Sequence, residues 1–147
     1  MSAETYVPSD PELRSILGDA RTIAVVGLSS NPERASYEVA EYLQSKGYRI
    51  VPVNPNETEV LGERAYPTLA DIPSEIEIDV VDVFRRAEQT PAIAEEAVAR
   101  GAKVLWLQEG IANDDARRIG EAGGLSVVMG VCMRKQSQRL EHVEGET

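Results

Sequence analysis

One cysteine, Cys132, one histidine, His142, one tryptophan and one phenylalanine are all that 147 residues contain of these types. A lone cysteine excludes an internal disulfide and agrees with a reducing compartment. With a single histidine and a single cysteine, no zinc-spaced cluster can be written, and no serine-histidine-acid set surrounds His142. No apolar run approaches the roughly 18 residues of a bilayer span, and Met1-Ser2-Ala3-Glu4 lacks the basic-then-apolar order of a secretion signal. A cytoplasmic protein with no membrane partner is expected. Basic residues are also few, 15 against 25 acidic ones, for a net charge of −10. The long-range field then repels nucleic acid, so no nucleic-acid partner is expected and any anionic ligand must be held by local donors such as Arg34, Arg85 and Arg86.

What is present is informative at Ile23-Ala24-Val25-Val26-Gly27-Leu28-Ser29-Ser30-Asn31-Pro32. A continuous apolar run reads as a buried parallel strand, and Val39, Ala40 and Leu43 follow at helical spacing over Ser36 to Lys46. Between strand and helix, Gly27 offers conformations closed to other residues, and the helix start offers unpaired N–H groups and a positive dipole end to an anion. Two readings follow: a nucleotide-type ligand site, or an ordinary tight turn that wants glycine anyway.

The rest of the chain repeats the strand-then-helix pattern. Ser9-Asp10-Pro11-Glu12 starts a short helix to Leu17 and Gly18. Strands are expected at Thr22 to Val26, Arg49 to Val53, Ile78 to Phe84, Lys103 to Leu107 and Leu125 to Met129. Helices are expected from Thr90 to Gly101 and from Asn113 to Gly123, with one or two helical turns at Thr68 to Ile72. Asp79 and Asp82 are unusual in a strand covered on both faces and need a strand end or hydrogen-bond donors. The polar residues from 136 to 147 read as a flexible tail. The whole is one domain, residues 1–147, and the expected fold is α/β: a Rossmann-like doubly wound parallel five-stranded sheet of order 3-2-1-4-5 with helices on both faces. In that order the crevice opens after Val26 and Leu107, where Gly27 to Ser36, Val53 to Pro55, Phe84 to Arg86 and Gln108 to Ile111 converge.

A dinucleotide fingerprint would place glycines where Gly27, Ser29 and Pro32 stand, so only the first is present, and strand two ends in neutral Asn54 rather than an acid for ribose hydroxyls. No P-loop run occurs either. Taken together, Gly27-Leu28-Ser29-Ser30-Asn31-Pro32 with Arg34 and Ser36, Gly47-Tyr48, Pro52-Val53-Asn54-Pro55, Val83-Phe84-Arg85 and Leu107-Gln108-Glu109-Gly110-Ile111 resemble the CoA-binding proteins related to the N-terminal domain of the succinyl-CoA synthetase alpha subunit. The resemblance runs from about Leu13 to Leu140 and is nearest to the small stand-alone members.

That resemblance implies a domain that holds CoA or acyl-CoA, with the glycine turn near the phosphates and later strand ends lining the adenosine and pantetheine portions. The implied ligand residues are Gly27, Leu28, Ser29, Ser30, Asn31, Arg34, Ser36, Val53, Asn54, Pro55, Phe84, Arg85, Gln108, Gly110 and Ile111. Arg86 reads as surface charge, Trp106 and Phe84 as core, Tyr37 as either an adenine cover or a helix-surface ring, and Glu109 as either a base or a structural carboxylate. Cys132 stands in Gly130-Val131-Cys132 where the family commonly has Asp-Arg-Cys. The synthetase's phosphorylated histidine belongs to a further domain that does not match here. The expectation is therefore a CoA or acyl-CoA binding module without catalysis of its own, acting as carrier, sensor or partner module. The alternatives are a subunit of an acyl-CoA ligase or a small NAD(P)-dependent oxidoreductase. Both a protein partner and a homo-oligomer remain open.

Overall fold

Every residue of Thr22–Val26, the first strand (β1), is buried, as a strand covered by helices on both faces requires. The computed structural model describes residues 4–145. Helix α1, Asp10–Asp19, starts at Ser9, whose hydroxyl accepts the N–H of Glu12 at 3.4 Å. After β1 come α2 (Ala35–Ser45), β2 (Arg49–Val53) and a hairpin of β3 (Glu59–Val60) and β4 (Glu63–Arg64). A 3-10 turn at Leu69–Asp71 precedes β5 (Val80–Val83), and α3 (Thr90–Ala99), β6 (Val104–Leu107), α4 (Asp114–Ala122), β7 (Ser126–Met129) and α5 (Met133–Gly145) complete the chain.

The five long strands form one parallel sheet in the order β2-β1-β5-β6-β7. The doubly wound α/β class expected from the sequence is thus observed. Counted by principal strand, however, the order is 2-1-3-4-5, and 3-2-1-4-5 is corrected at one strand: β5 lies beside β1, not beyond β2. The outer side of β2 is already taken, because Tyr66 donates to the Pro52 carbonyl at 3.0 Å and its own carbonyl accepts from Asn54 N at 2.9 Å. The chain therefore crosses back to the free side of β1. The opposite margin of the sheet is met by Tyr6, which exchanges hydrogen bonds with Met129 of 3.1 and 2.8 Å.

Side chains of successive strand residues point to opposite faces, and two cores result. Ala24, Val26, Val81, Val83, Leu105 and Leu107 pack against α3 and α4. Ile23, Val25, Val80, Val104 and Trp106 pack against α1, α2 and α5. Trp106 is fully buried and donates its indole N–H to the Val131 carbonyl at 2.9 Å. Residues 136–145, read from sequence as part of a flexible tail, continue α5. Leu140 is buried in the second core, and Arg139 holds Asp10 of α1 through two N–H···O contacts of 2.9 and 3.1 Å. The side chain of His142 and residues 146–147 lie outside the described residues.

Asp79 resolves as a cap just before β5. Burial raises its pKa, but the N–H groups of Thr22 and Arg21, at 2.9 and 2.8 Å, and the Lys103 ammonium outweigh this and hold the carboxyl below its ordinary value. Arg100, at the end of α3, donates to the carbonyls of Leu69, Ile72, Pro73 and Ile76, tying the 3-10 turn and the approach to β5 onto the helix.

Candidate functional site

Strand register sets the site. Val26 is level with Val53 and with Val83, Val83 with Leu107, and Leu107 with Met129. The residues that leave the sheet, Gly27, Asn54, Phe84, Gln108 and Gly130, therefore emerge along one edge. The crossovers from β1 and β5 run over opposite faces, so the crevice opens between these two strands. Gly27 consequently neighbours Phe84, and the expected opening between Val26 and Leu107 is corrected accordingly.

Gly27 has φ +90°, and a Cβ there would lie 2.5 Å from the Phe84 carbonyl oxygen and 3.3 Å from Arg85 Nε. Only glycine fits such a position. Two cavities flank this junction. One, of about 360 Å³, lies on the α3 side and is bounded by Val53, Pro55, Leu69, Arg85 and Ile93 among others. The other, of about 300 Å³, lies between α2 and the start of α5, against Phe84, Gln108, Ile111 and Cys132. Consecutive residues Phe84 and Arg85 thus serve different cavities, one on each side.

The loop after Gly27 satisfies most of its own donors. Ser29 N donates to Ser36 Oγ at 3.1 Å, Asn31 N to Ser29 Oγ at 3.1 Å, and Glu33 N to Asn31 Oδ1 at 2.9 Å. Ser30 N instead donates to Glu57 Oε2 at 2.8 Å, across from the loop after β2. Ser30 and Arg34 are exposed, and the start of α2 at Arg34 has no side-chain cap, so these places keep donors toward the outside. Among the described residues neither Arg34 nor Arg85 has a carboxylate partner, whereas Arg86 is largely exposed and lies 3.9 Å from Glu88. That donor set fits an anionic, phosphate-bearing group better on the Arg85 side than on the Arg86 side.

Other residues singled out in the sequence have structural assignments. Leu28 is fully buried beneath α2. Asn54 donates from Nδ2 to the Leu28 carbonyl at 3.1 Å and accepts Asn56 N at 2.9 Å, so its amide fastens the two loops together. Gly110 has φ +81° with no protein atom within 4 Å of a built Cβ, so its backbone conformation and not crowding by the protein favours glycine there. It borders a third cavity of about 920 Å³ beside Tyr6 and Asn113, away from the other site residues. Glu109 is held by Lys135 at 2.9 Å. Tyr37 packs, partly buried, on the core under α2. Among the described residues no group of three or more His, Cys, Asp and Glu is placed to hold a metal, and no helix is long and apolar enough to cross a membrane.

Two further residues emerge that sequence reasoning did not place in the site, Asp82 and Glu57. Asp82 sits mid-strand, fully buried behind the second cavity; Gln108 Nε2 donates to its Oδ1, while Oδ2 has no partner. Burial pushes its pKa from 3.8 up to about 7, against the opposing effect of the Gln108 hydrogen bond. The other end of the Gln108 amide accepts Met133 N at 3.4 Å, linking β5 and β6 to the first turn of α5. The oddity of a mid-strand carboxylate was the signal for Asp82; nothing in sequence marked Glu57.

Comparison with known proteins bears on the fold and the family. The chain is 42% identical over 127 residues to an uncharacterised protein of Bacillus subtilis, covering 86% of this chain and 93% of that one. It is 31% identical over 100 residues, 67% of this chain, to the alpha subunit of the ADP-forming acetate–CoA ligase II of Pyrococcus furiosus, but spans only 22% of that subunit. Among solved structures, a hypothetical protein from Pyrococcus horikoshii superposes with a TM-score of 0.88 at 38% identity, covering 95% of this chain and 99% of that one. The model of the CoA binding domain matches residues 21–137. With the fold shared at that TM-score and four-fifths of its length matched by the family model, the chain belongs to the CoA-binding domain family.

Proposed function

We infer that the protein binds CoA or an acyl-CoA along the edge where β1 and β5 diverge, and acts as a binding module without a bond-breaking step of its own. The observation that carries this is the Gly27–Phe84 junction with Arg85 lying over it: backbone and guanidinium meet at a point no side chain can enter. Arg34 and Arg85 supply the positive charge that the net charge of −10 otherwise denies an anion. The Ser30 hydroxyl adds a donor, and the two cavities give room for the adenosine and pantetheine ends on either side of the phosphates. The polar groups nearest the cleft are engaged in holding the fold: Glu109 with Lys135, Asn54 with Leu28, Gln108 with Asp82.

Calorimetry with CoA, dephospho-CoA, NAD and NADP under reducing, low-salt conditions tests this reading. Binding of the CoA species with no heat from NAD is expected; no measurable affinity for any CoA species overturns it.

The similarity to the ligase alpha subunit favours a second reading, in which the module is one part of an acyl-CoA ligase. CoA binding that becomes coupled to ATP hydrolysis only when a partner protein is added would support that reading over the stand-alone one.

A further inference from the structure

Four N–H groups of the Gly27–Arg34 loop are taken by side-chain acceptors, and three of those acceptors are local. Ser36 lies seven residues from Ser29, and Ser29 and Asn31 each serve a residue two positions on. The fourth acceptor comes from 27 residues away: Glu57 Oε2, 2.8 Å from Ser30 N. A carboxylate on a backbone N–H is the arrangement that a phosphate oxygen would make with the same donor. Glu57 differs from the other acceptors in its attachment: it belongs to the turn Asn54–Glu57, outside the loop, and its side chain can swing away without moving the loop backbone. That turn is fastened independently by the Asn54 amide on the Leu28 carbonyl, so releasing the Glu57 side chain leaves the two loops joined.

We propose that Glu57 is a specificity-determining residue of this site: its carboxylate occupies the Ser30 N–H in the free protein and must leave when a phosphate-bearing ligand arrives. This rests on the CoA-binding reading above and names the chain's own competitor for the anion. Two negative groups cannot share one donor at hydrogen-bond distance without strong repulsion. Glu57 therefore keeps the loop ordered without ligand and sets a threshold that weakly held anions do not cross. A ligand with further phosphate contacts, at Arg34 and Arg85, displaces it. Inorganic phosphate, with only the loop to hold it, does not.

The test compares the unaltered protein with Glu57→Gln, which keeps a neutral acceptor, and Glu57→Ala, which removes it. Calorimetry with CoA and with inorganic phosphate is read beside thermal unfolding and the Ser30 amide signal in NMR. Expected are tighter CoA binding by both variants, on the order of tenfold for Glu57→Ala, with phosphate binding becoming detectable. The Ser30 amide of the unaltered protein is expected to be protected from exchange before CoA is added and to shift when it is. Equal or weaker CoA binding by both variants, with the fold retained, overturns the proposal, as does a Ser30 amide that CoA leaves unmoved. Failure of the unaltered protein itself to bind CoA overturns the functional reading instead, and is distinguished by appearing before any substitution is made.

Discussion

Gln108 Nε2, just past the end of β6, donates to the Asp82 carboxyl, and among the described residues this is the one hydrogen bond to a fully buried acid whose second oxygen has no partner. Its pKa of about 7 against 3.8 means that ionising it costs about 4 kcal/mol more in the folded chain than in the unfolded one. The sign follows from linkage. Below pH 3.8 both folded and unfolded chains carry the proton and nothing is lost; from there to about pH 7 the unfolded chain ionises first and stability falls as pH rises. Asp82→Asn keeps the acceptor and removes the charge. It is expected to gain on the order of 3 kcal/mol over the unaltered protein at pH 8 and almost nothing at pH 4, measured by urea unfolding at both pH values.

Gly27→Ala is expected to be the most damaging small substitution in the cleft. The methyl group would meet the Phe84 carbonyl oxygen at 2.5 Å in a backbone conformation of φ +90°. Moving either strand end disrupts the bonds from Gly27 N to the Val53 carbonyl and from Phe84 N to the Val26 carbonyl, both 2.8 Å. A loss of about 3 kcal/mol, roughly a 10 °C fall in Tm, is expected together with loss of CoA binding. Thermal unfolding and calorimetry check the two halves.

Arg85→Ala is expected to weaken CoA binding on the order of tenfold, and Arg86→Ala to leave it within about twofold. The two neighbours differ in placement: Arg85 lies against Gly27 and borders the α3-side cavity, whereas Arg86 is exposed and near Glu88. Equal losses from both substitutions would remove the distinction.

Arg100→Ala is expected to cost about 2–3 kcal/mol in denaturant unfolding, because it strands carbonyls of Leu69, Ile72, Pro73 and Ile76 that one guanidinium serves. Arg100→Lys should recover less than half of this, since a single ammonium cannot span the fork. A full rescue by lysine would show that charge alone matters there.

Asp79→Ala is expected to cost about 1–3 kcal/mol at pH 7. Because the folded-state pKa lies below the ordinary value, that difference from the unaltered protein should shrink as pH falls through it. Melting curves at pH 7 and pH 3 provide the comparison.

Long strands and helices were legible because their burial is periodic: the apolar runs at Ile23–Val26 and Val104–Leu107 are buried throughout. Strand order was not, since pairing partners are set by what covers the outer side of β2, and that cover is Tyr66, in a loop without apolar periodicity. The β3–β4 hairpin escaped notice because two-residue strands carry no alternation; only the Leu61–Gly62 turn, with φ of 56° and 78°, marks it. The convergence of the glycine loop with the ends of β2, β5 and β6 followed from topology alone. The role of Asn54 as a loop fastener and of Glu57 as an N–H acceptor did not, because both are contacts between polar side chains and distant backbone.

The pairing of Tyr6 with Met129 at one margin and of Tyr66 with Pro52 and Asn54 at the other has a consequence for assembly. Both margins are interrupted by these pairs, which breaks the row of unsatisfied amides that templates strand addition and fibril growth. A foreign strand that approaches either margin at these residues meets a backbone pair already made.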